Sequence, residues 1–303
     1  MDNELLLFDR IEVTKNTINK YGEENFYISF SGGKDSTILH HLVDLAIPNN
    51  RIPRVFINTG IEYNYIVEFV KELASNDDRF ILLQPTQSVK KICEKYGYPF
   101  KSKEHSLKVG EYQKGSRRPS ILSYKNGNST FRCPKSLLFQ YDKNYPLKLS
   151  DKCCYKLKKE PVHKWEKVSN KTIAITGLRK SEGGQRANLT KCIITAKGKV
   201  VKFHPLLVVD EKEFDDWFIE KYNIKLCKLY YPPFNFERTG CKGCPFALKL
   251  QEQLVTMAKL LPNEYKQCEL IWGPVYSEYR RIGYRLDKRF GYKLGSNKQA
   301  KLF

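Results

Sequence analysis

Short apolar runs alternate with stretches of helical apolar spacing through the first half of the chain. Phe26–Phe30, Arg54–Asn58 and Arg79–Gln84 are strand-like, and the segments between them, such as Thr37–Leu45, repeat their apolar positions every three to four residues. This alternation predicts βαβ units and a doubly wound, mostly parallel sheet, an α/β fold. From Lys101 to Lys171 the periodicity fades and Lys, Arg, Tyr, Ser and Pro dominate, which predicts an irregular insertion, either a binding loop or lid or a merely variable segment. Strand pattern resumes at Thr172–Ile175 and runs directly into Thr176-Gly177-Leu178-Arg179. Cys192–Ala196 and Val200–Phe203, joined by Lys197-Gly198-Lys199, predict a hairpin, and Asp210–Tyr222 predicts a helix with an acidic first turn. The pattern divides the chain into an α/β domain over 1–235, with the insertion at 101–171, and a cysteine-containing basic helical region over 236–303.

Composition changes this picture in two ways. The 303 residues carry a formal net charge of +20 and a pI near 9.4, an excess that favours a polyanionic partner; nucleic acid is the first candidate and a small anionic nucleotide the second. The stretch Glu278–Phe290 interleaves basic and aromatic residues, as phosphate contacts with base stacking would require, or as a helix with inward tyrosines would. No apolar run approaches twenty residues and the N-terminal Met1-Asp2-Asn3-Glu4 is acidic, so the expectation is a cytoplasmic protein with no membrane partner. In a reducing compartment its nine cysteines are read for metal ligation or redox chemistry rather than for disulfides.

Ser31-Gly32-Gly33-Lys34-Asp35-Ser36 sits between the first strand-like run and a helix-like one. Two glycines allow close backbone approach to an anion, the new helix points its free N–H groups and dipole there, and Lys34 and Ser36 add charge and a hydroxyl. The spacing is not that of a Walker loop, which needs four residues between its glycine and the Gly-Lys pair. Asn58-Thr59-Gly60 would bring a second polar turn to the same sheet edge. Arg179 and Arg186 are the cations suited to phosphate or sulfate oxygens, with Glu182 placed to orient one of them. Cys153-Cys154 and Cys241-Lys242-Gly243-Cys244 offer two pairs of thiolates, a four-sulfur site for zinc or an iron–sulfur cluster, and adjacent cysteines suit the wider corners of a cluster better. Cys133 lies among basic residues that would lower a thiol pKa, whereas Cys93, Cys192, Cys227 and Cys268 fall inside apolar patterns and are expected to be buried. The five histidines show no metal-ligand spacing.

Taken together these motifs resemble the phosphoadenylylsulfate (PAPS) reductase family of the PP-loop ATP pyrophosphatases. SGGKDS looks like the PP-loop, and Phe56–Gly60 like the family's Asp-Thr-Gly element, with Asn58 replacing the aspartate. Gly177–Arg186 looks like its Gly-x-Arg-x-x-Glu-Ser-x-x-Arg element, and His204-Pro205-Leu206, Trp217 and the Leu229–Cys241 run match its later segments. Cys-Cys, 86 residues, then Cys-x-x-Cys is similar to the [4Fe–4S] ligand set of assimilatory adenylylsulfate reductases. The resemblance implies an adenine nucleotide alpha hydrolase-like fold with an iron–sulfur helical extension. Ser31 to Ser36, Asn58, Thr59, Gly60, Gly177, Arg179 and Glu182 would bind nucleotide; Lys34, Asp35, Arg179 and Arg186 would serve catalysis, Asp35 through Mg2+ or by shaping the loop.

Two departures set the functional expectation. The loop is intact, as in members that consume ATP, and no Glu-Cys-Gly-x-His segment, which carries the reductase nucleophile, occurs in the chain. The resemblance then implies an iron–sulfur ATP pyrophosphatase that adenylates a nucleic acid, tRNA or DNA, to support sulfur incorporation, with a cysteine desulfurase as a candidate donor. The alternatives are a reductase of adenylylsulfate or PAPS fed by a thioredoxin-like donor, and a non-catalytic nucleotide or nucleic-acid sensor.

Overall fold

A computed structural model describes residues 2–128, 130–183 and 186–288. In chain order its elements begin α1 (Asn3–Tyr21), β1 (Phe26–Ser29), α2 (Lys34–Ala46), β2 (Arg54–Ile57), α3 (Asn64–Asn76) and β3 (Phe80–Leu83). Next come α4 (Val89–Tyr96), α5 (Lys103–Gln113), α6 (Pro119–Asn126), the single turn α7 (Lys152–Cys154) and α8 (Glu160–Ser169). The remainder is β4 (Ile173–Ile175), β5 (Ile193–Ala196), β6 (Lys199–Phe203), α9 (Glu211–Lys221), α10 (Leu250–Leu260) and α11 (Pro262–Ile282). The chain forms two compact units: a sheet unit, Met1–Thr86 with Leu157–Gly240, and a helical unit, Gln87–Lys156 with Cys241–Phe303.

The sheet unit carries six strands in the order β3-β2-β1-β4-β6-β5, all parallel except the β5–β6 hairpin. This is the expected doubly wound α/β sheet. From β1 the chain steps outward to β2 and β3, then returns to the other side at β4, so the β1/β4 boundary is the switch point where such sheets bind ligands. Tyr27, Val55 and Ala174 form one buried face, covered by Val162 and Trp165 of α8, with the Tyr27 and Trp165 rings edge-on at 5.2 Å. Toward α2, the fully buried Arg54 donates from Nε to His40 Nδ1 at 3.0 Å and from Nη1 to Asn50 Oδ1 at 2.8 Å, and pairs with Asp44. That satisfied guanidinium ties β2 to α2 away from the switch point.

The helical unit differs from expectation. The stretch read as irregular contains α5 and α6 in this unit and α8 in the sheet unit; the inward face of α5 is made of His105, Ser106, Val109 and Gly110, only one of them a sizeable apolar residue, which leaves no apolar period. Ser102 caps α5 by accepting from the His105 N–H, and α6 starts at Pro119 and ends against a left-handed Gly127. In α11 the tyrosines point inward: Tyr279 donates to the Pro245 carbonyl at 2.8 Å and Tyr276 to that of Gly243, while Arg280 and Arg281 pair with Glu269 and Glu278. Of the two readings of Glu278–Phe290, the inward-packed helix is the one found; Arg289 and Phe290 lie outside the described residues. No helix among the described residues is long and apolar enough to cross a membrane.

Candidate functional site

The loop after β1 is shaped by its own hydroxyls. Gly33 N–H donates to Ser31 Oγ at 3.3 Å, Ser31 Oγ lies 3.0 Å from Ser36 Oγ, and Ser36 Oγ donates to the Gly33 carbonyl at 2.9 Å. Gly32 takes φ +71°, and a Cβ there would stand 2.8 Å from Ile66 and 2.9 Å from Val70, so only glycine fits. Gly177, opposite on the strand β4 side, brings its backbone so near α2 that a Cβ would lie 2.7 Å from the Asp35 carbonyl oxygen. The first turn of α2 has no side-chain cap at Gly33, and the Lys34 N–H donates to Tyr230 Oη at 2.9 Å.

Around this turn the charges form one chain. Asp215 of α9, with no exposed side-chain surface, receives Lys34 Nζ at 2.9 Å on one oxygen and Arg179 Nη2 at 2.6 Å on the other. Arg179 is itself fully buried; its Nε lies 3.0 Å from Asp35, and its Nη1 has no hydrogen-bond partner. Burial pushes the Asp215 carboxyl up from the usual range, and Arg179 and Lys34, both within 3 Å, oppose it. Glu182 accepts from the Arg179 backbone N–H at 3.1 Å and pairs with both Arg186 and Arg238; burial and then the Arg238 guanidinium depress the Arg186 pKa, with Asp35 opposing. The motif's Gly184 and Gln185 lie outside the described residues.

Beside the loop opens a cavity of about 540 Å3, lined by Ser31, by Tyr27, Ala174 and Thr176 from the sheet, by Val162, His163 and Glu166 of α8, and by Thr239 and Gly240. Its volume suits a nucleoside-sized ligand. Glu166 is held by Tyr27 Oη and His163 Nδ1, each at 2.7 Å. Of the Asn58–Gly60 turn, Asn58 accepts from the Gly60 N–H at 3.1 Å, and Thr59 binds Glu62 through its N–H and hydroxyl. Glu62, not Asn58, reaches the cavity wall. Sequence reading assigned no role to Asp215 or Glu62, nor to Tyr230 and Thr239 within the Leu229–Cys241 run; a lone aspartate in an acidic helix, Asp210 to Asp216, is indistinguishable from its solvent-facing neighbours until the fold turns it inward.

The four expected metal ligands all fall in the helical unit. Cys153 is buried; the Cys154 thiol lowers its pKa by a hydrogen bond, but the bond with Cys93, burial and the charge of Cys244 together push it well above the thiol range. As placed, no three His, Cys, Asp or Glu side chains among the described residues form a group able to hold a metal ion. The donor chemistry suits a cluster and the placement does not close one. The Cys241–Cys244 turn is clamped by α11, with Trp272 Nε1 donating to the Lys242 carbonyl at 3.4 Å and buried Lys242 paired with Glu264 at 3.2 Å. Cys133 is a correction: it is buried, and burial raises its pKa to about 11, outweighing the lowering by Lys101. Cys192 is half-buried, unlike Cys93, Cys227 and Cys268, which are buried.

Comparison with known proteins adds the following. Residues 25–247 match the family described as the phosphoadenosine phosphosulfate reductase domain. An uncharacterized protein of Methanocaldococcus jannaschii is 25% identical over 293 residues, which cover 92% of this chain and 56% of the relative, so the chain spans just over half of that protein. Among solved structures, the PAPS reductase of Candida auris in a phosphate complex aligns at 15% identity and TM-score 0.42, covering 76% of this chain and 93% of that one. The NH3-dependent NAD synthetase of Campylobacter jejuni aligns at 11% identity and TM-score 0.38, covering 92% and 96%.

Proposed function

Starting from the family to which the chain belongs, that of the phosphoadenosine phosphosulfate reductase domain, we propose that it is an ATP pyrophosphatase that adenylates an oxygen of a nucleic acid, releasing pyrophosphate, in support of sulfur incorporation. One observation carries this reading: an intact SGGKDS loop whose Lys34 and buried Arg179 converge on Asp215, with Arg179 Nη1 left without a partner, and whose Ser31 lines a cavity of about 540 Å3. A buried guanidinium N–H with no acceptor is destabilising unless an anion completes it.

In this reading the loop N–H groups, Lys34 and Arg179 hold the β and γ phosphates, and the cavity along α8 takes the adenosine. An acceptor oxygen attacks the α phosphorus in line. The new O–P bond forms as the bond to the β-phosphate oxygen breaks, and that electron pair leaves on pyrophosphate, whose charge the loop stabilises. Asp215 and Asp35 keep the two cations aimed, and Arg186 and Arg238, gathered by Glu182, face the same phosphates. Mg2+ would accompany ATP. Cys153, Cys154, Cys241 and Cys244 are the residues that would ligate a [4Fe–4S] cluster, which would supply a sulfur-binding position when bound; none of the adenylation step depends on it.

The test is AMP and pyrophosphate release from ATP by anaerobically prepared protein, with and without RNA or DNA. Turnover stimulated by nucleic acid is expected; iron-replete protein that releases none refutes the reading. Cys241→Ser should abolish sulfur transfer while leaving pyrophosphate release intact. The family match itself favours one second reading, a reductase of PAPS or adenylylsulfate using a thioredoxin-like donor, which sulfite formation from those nucleotides would establish.

A further inference from the structure

The positive charge of this chain is unevenly divided. The helical unit holds 28 of the 53 lysines and arginines but only 10 of the 33 acidic residues, hence +18 of the net +20, whereas the sheet unit holds 25 and 23. Cations in the sheet unit are answered by carboxylates, Lys34 and Arg179 by the buried Asp215, and Arg54 and Arg79 by the half-buried Asp44. Those of α5 and α6 are not answered in this way.

Tyr112 of α5 gathers them. The Arg117 guanidinium lies 3.7 Å from its ring centroid, and Lys125 Nζ of α6 lies 4.6 Å from the centroid and donates to the hydroxyl oxygen at 2.9 Å. The Lys125 hydrogen bond, with the charges of Lys125, Arg117 and Lys143, lowers the phenol pKa. The nearby carboxylate, Glu111, is occupied by Lys114 at 3.4 Å and Arg118 at 3.0 Å. Cation–π attraction offsets only about 0.5–1 kcal/mol per exposed pair, the order of the mutual repulsion of like charges about 5 Å apart. Adjoining this group, the segment after α6 packs back on it, Cys133 N–H donating to the Tyr124 carbonyl at 2.9 Å, and displays Phe131 at 72% exposure beside Arg132. Cations spaced around half-exposed rings, with an exposed phenyl alongside, match the phosphates and bases of a flexible single strand.

We propose that the α5–α6 face of the helical unit, with Arg117, Lys125 and Lys143 around Tyr112 and with Phe131 beside it, is the docking surface for a single-stranded segment of nucleic acid. The inference rests on the nucleic-acid clause of the proposed function and not on its ATP chemistry. Phosphates bridge the three cations, releasing counterions, and one base stacks on Phe131.

Fluorescence anisotropy of the full chain with a labelled mixed-sequence oligonucleotide, RNA or DNA, tests it. Replacing Arg117, Lys125 and Lys143 together by alanine should weaken binding roughly tenfold or more and reduce the slope of log K against log salt by about 2, three phosphate contacts at roughly 0.7 each. Removing as much charge from the sheet unit, through Lys15→Ala, Lys20→Ala and Lys71→Ala, should change affinity by less than about twofold if binding is local rather than a net-charge effect. Phe131→Ala should weaken binding at least fivefold with the salt slope unchanged, on the basis of roughly 1–3 kcal/mol per stacked base. Equal losses in the two triple variants overturn the proposal. So does binding to anionic phospholipid vesicles, lost in the first triple, with none to either oligonucleotide. Basal pyrophosphate release from ATP should be the same in all these variants; if no protein releases any, the ATP reading fails while the docking difference stands.

Discussion

The two units of this protein use charge in opposite ways. In the sheet unit, 25 basic and 23 acidic residues nearly cancel, and Lys34 and Arg179 are pinned on a carboxylate with no exposed surface. In the helical unit, 28 basic residues meet 10 acidic ones, and on the α5–α6 face Arg117 and Lys125 crowd around the half-exposed Tyr112 ring. Pinned cations are fixed in place before a ligand arrives, which suits the stabilisation of a developing charge. Crowded ones are relieved by a ligand that brings its own charge, which suits capture of a polymer. The difference teaches that net charge alone, which pointed to a polyanion, did not say where on the chain to look.

Breaking the comparison on the sheet side should give the largest effect. Lys34→Ala removes one pinned cation and leaves Asp215 paired with Arg179, so the fold survives while pyrophosphate release from ATP falls by about 10^2–10^3-fold, the loss typical of a single preorganised donor. Oligonucleotide affinity, measured on the same preparation, should stay within about twofold of the unaltered protein if nucleic acid is held by the other unit. A parallel fall in both would erase the division of labour.

Asp215→Asn is expected to act on stability and activity together. It leaves Arg179 buried with Asp35 as its remaining carboxylate partner and frees Lys34, and uncompensated buried charge costs about 3 kcal/mol. Denaturant unfolding with an unchanged slope should register that loss, and kcat should fall more than KM changes, because the cations are mis-aimed rather than absent. A change below about 1 kcal/mol would mean the carboxylate is no anchor.

How much of this was legible beforehand follows from what each residue depends on. The strands β1 to β4 and the β5–β6 hairpin were readable because their apolar runs are short, dense and bounded by turns. The loop was readable because Gly32 and Gly177 are demanded by close approaches that nothing else allows. Asp215 was not, since its role depends on α9 packing against α2 and meeting Arg179, a long-range event with no local signature. The helix α5 was hidden for a related reason: its buried face includes His105, which is polar in the sequence and becomes a core residue only once Gln140 and Tyr124 satisfy it.

The smallest expected effect compares the histidines of the two units. His105 is fully buried in the helical unit, its Nε2 2.7 Å from Gln140 Oε1 and its Nδ1 3.0 Å from Tyr124 Oη, so it is neutral with Nε2–H donating to the amide. Burial lowers its pKa to about 4, against the Gln140 bond, and Lys101 and Arg285 lower it further. His40 in the sheet unit is lowered to about 3 by burial and then by Arg54, with Asp44 opposing. Both folded values lie below the unfolded value near 6.5, so as pH falls the unfolded chain takes up these protons first and stability drops. The decline should begin near pH 6.5 and, for His105, level off near pH 4, amounting in full to about 3.5 kcal/mol at one pKa unit per roughly 1.4 kcal/mol, of which about 2 kcal/mol falls above pH 5. Replacing His105 with glutamine should remove that part of the slope and leave the part due to His40. Unfolding midpoints at pH 7 and pH 5 for both proteins decide it: an unchanged difference would mean that His105 accepts a proton in the folded state, and that the polar core of α5 is as open to charge as the surface beside it.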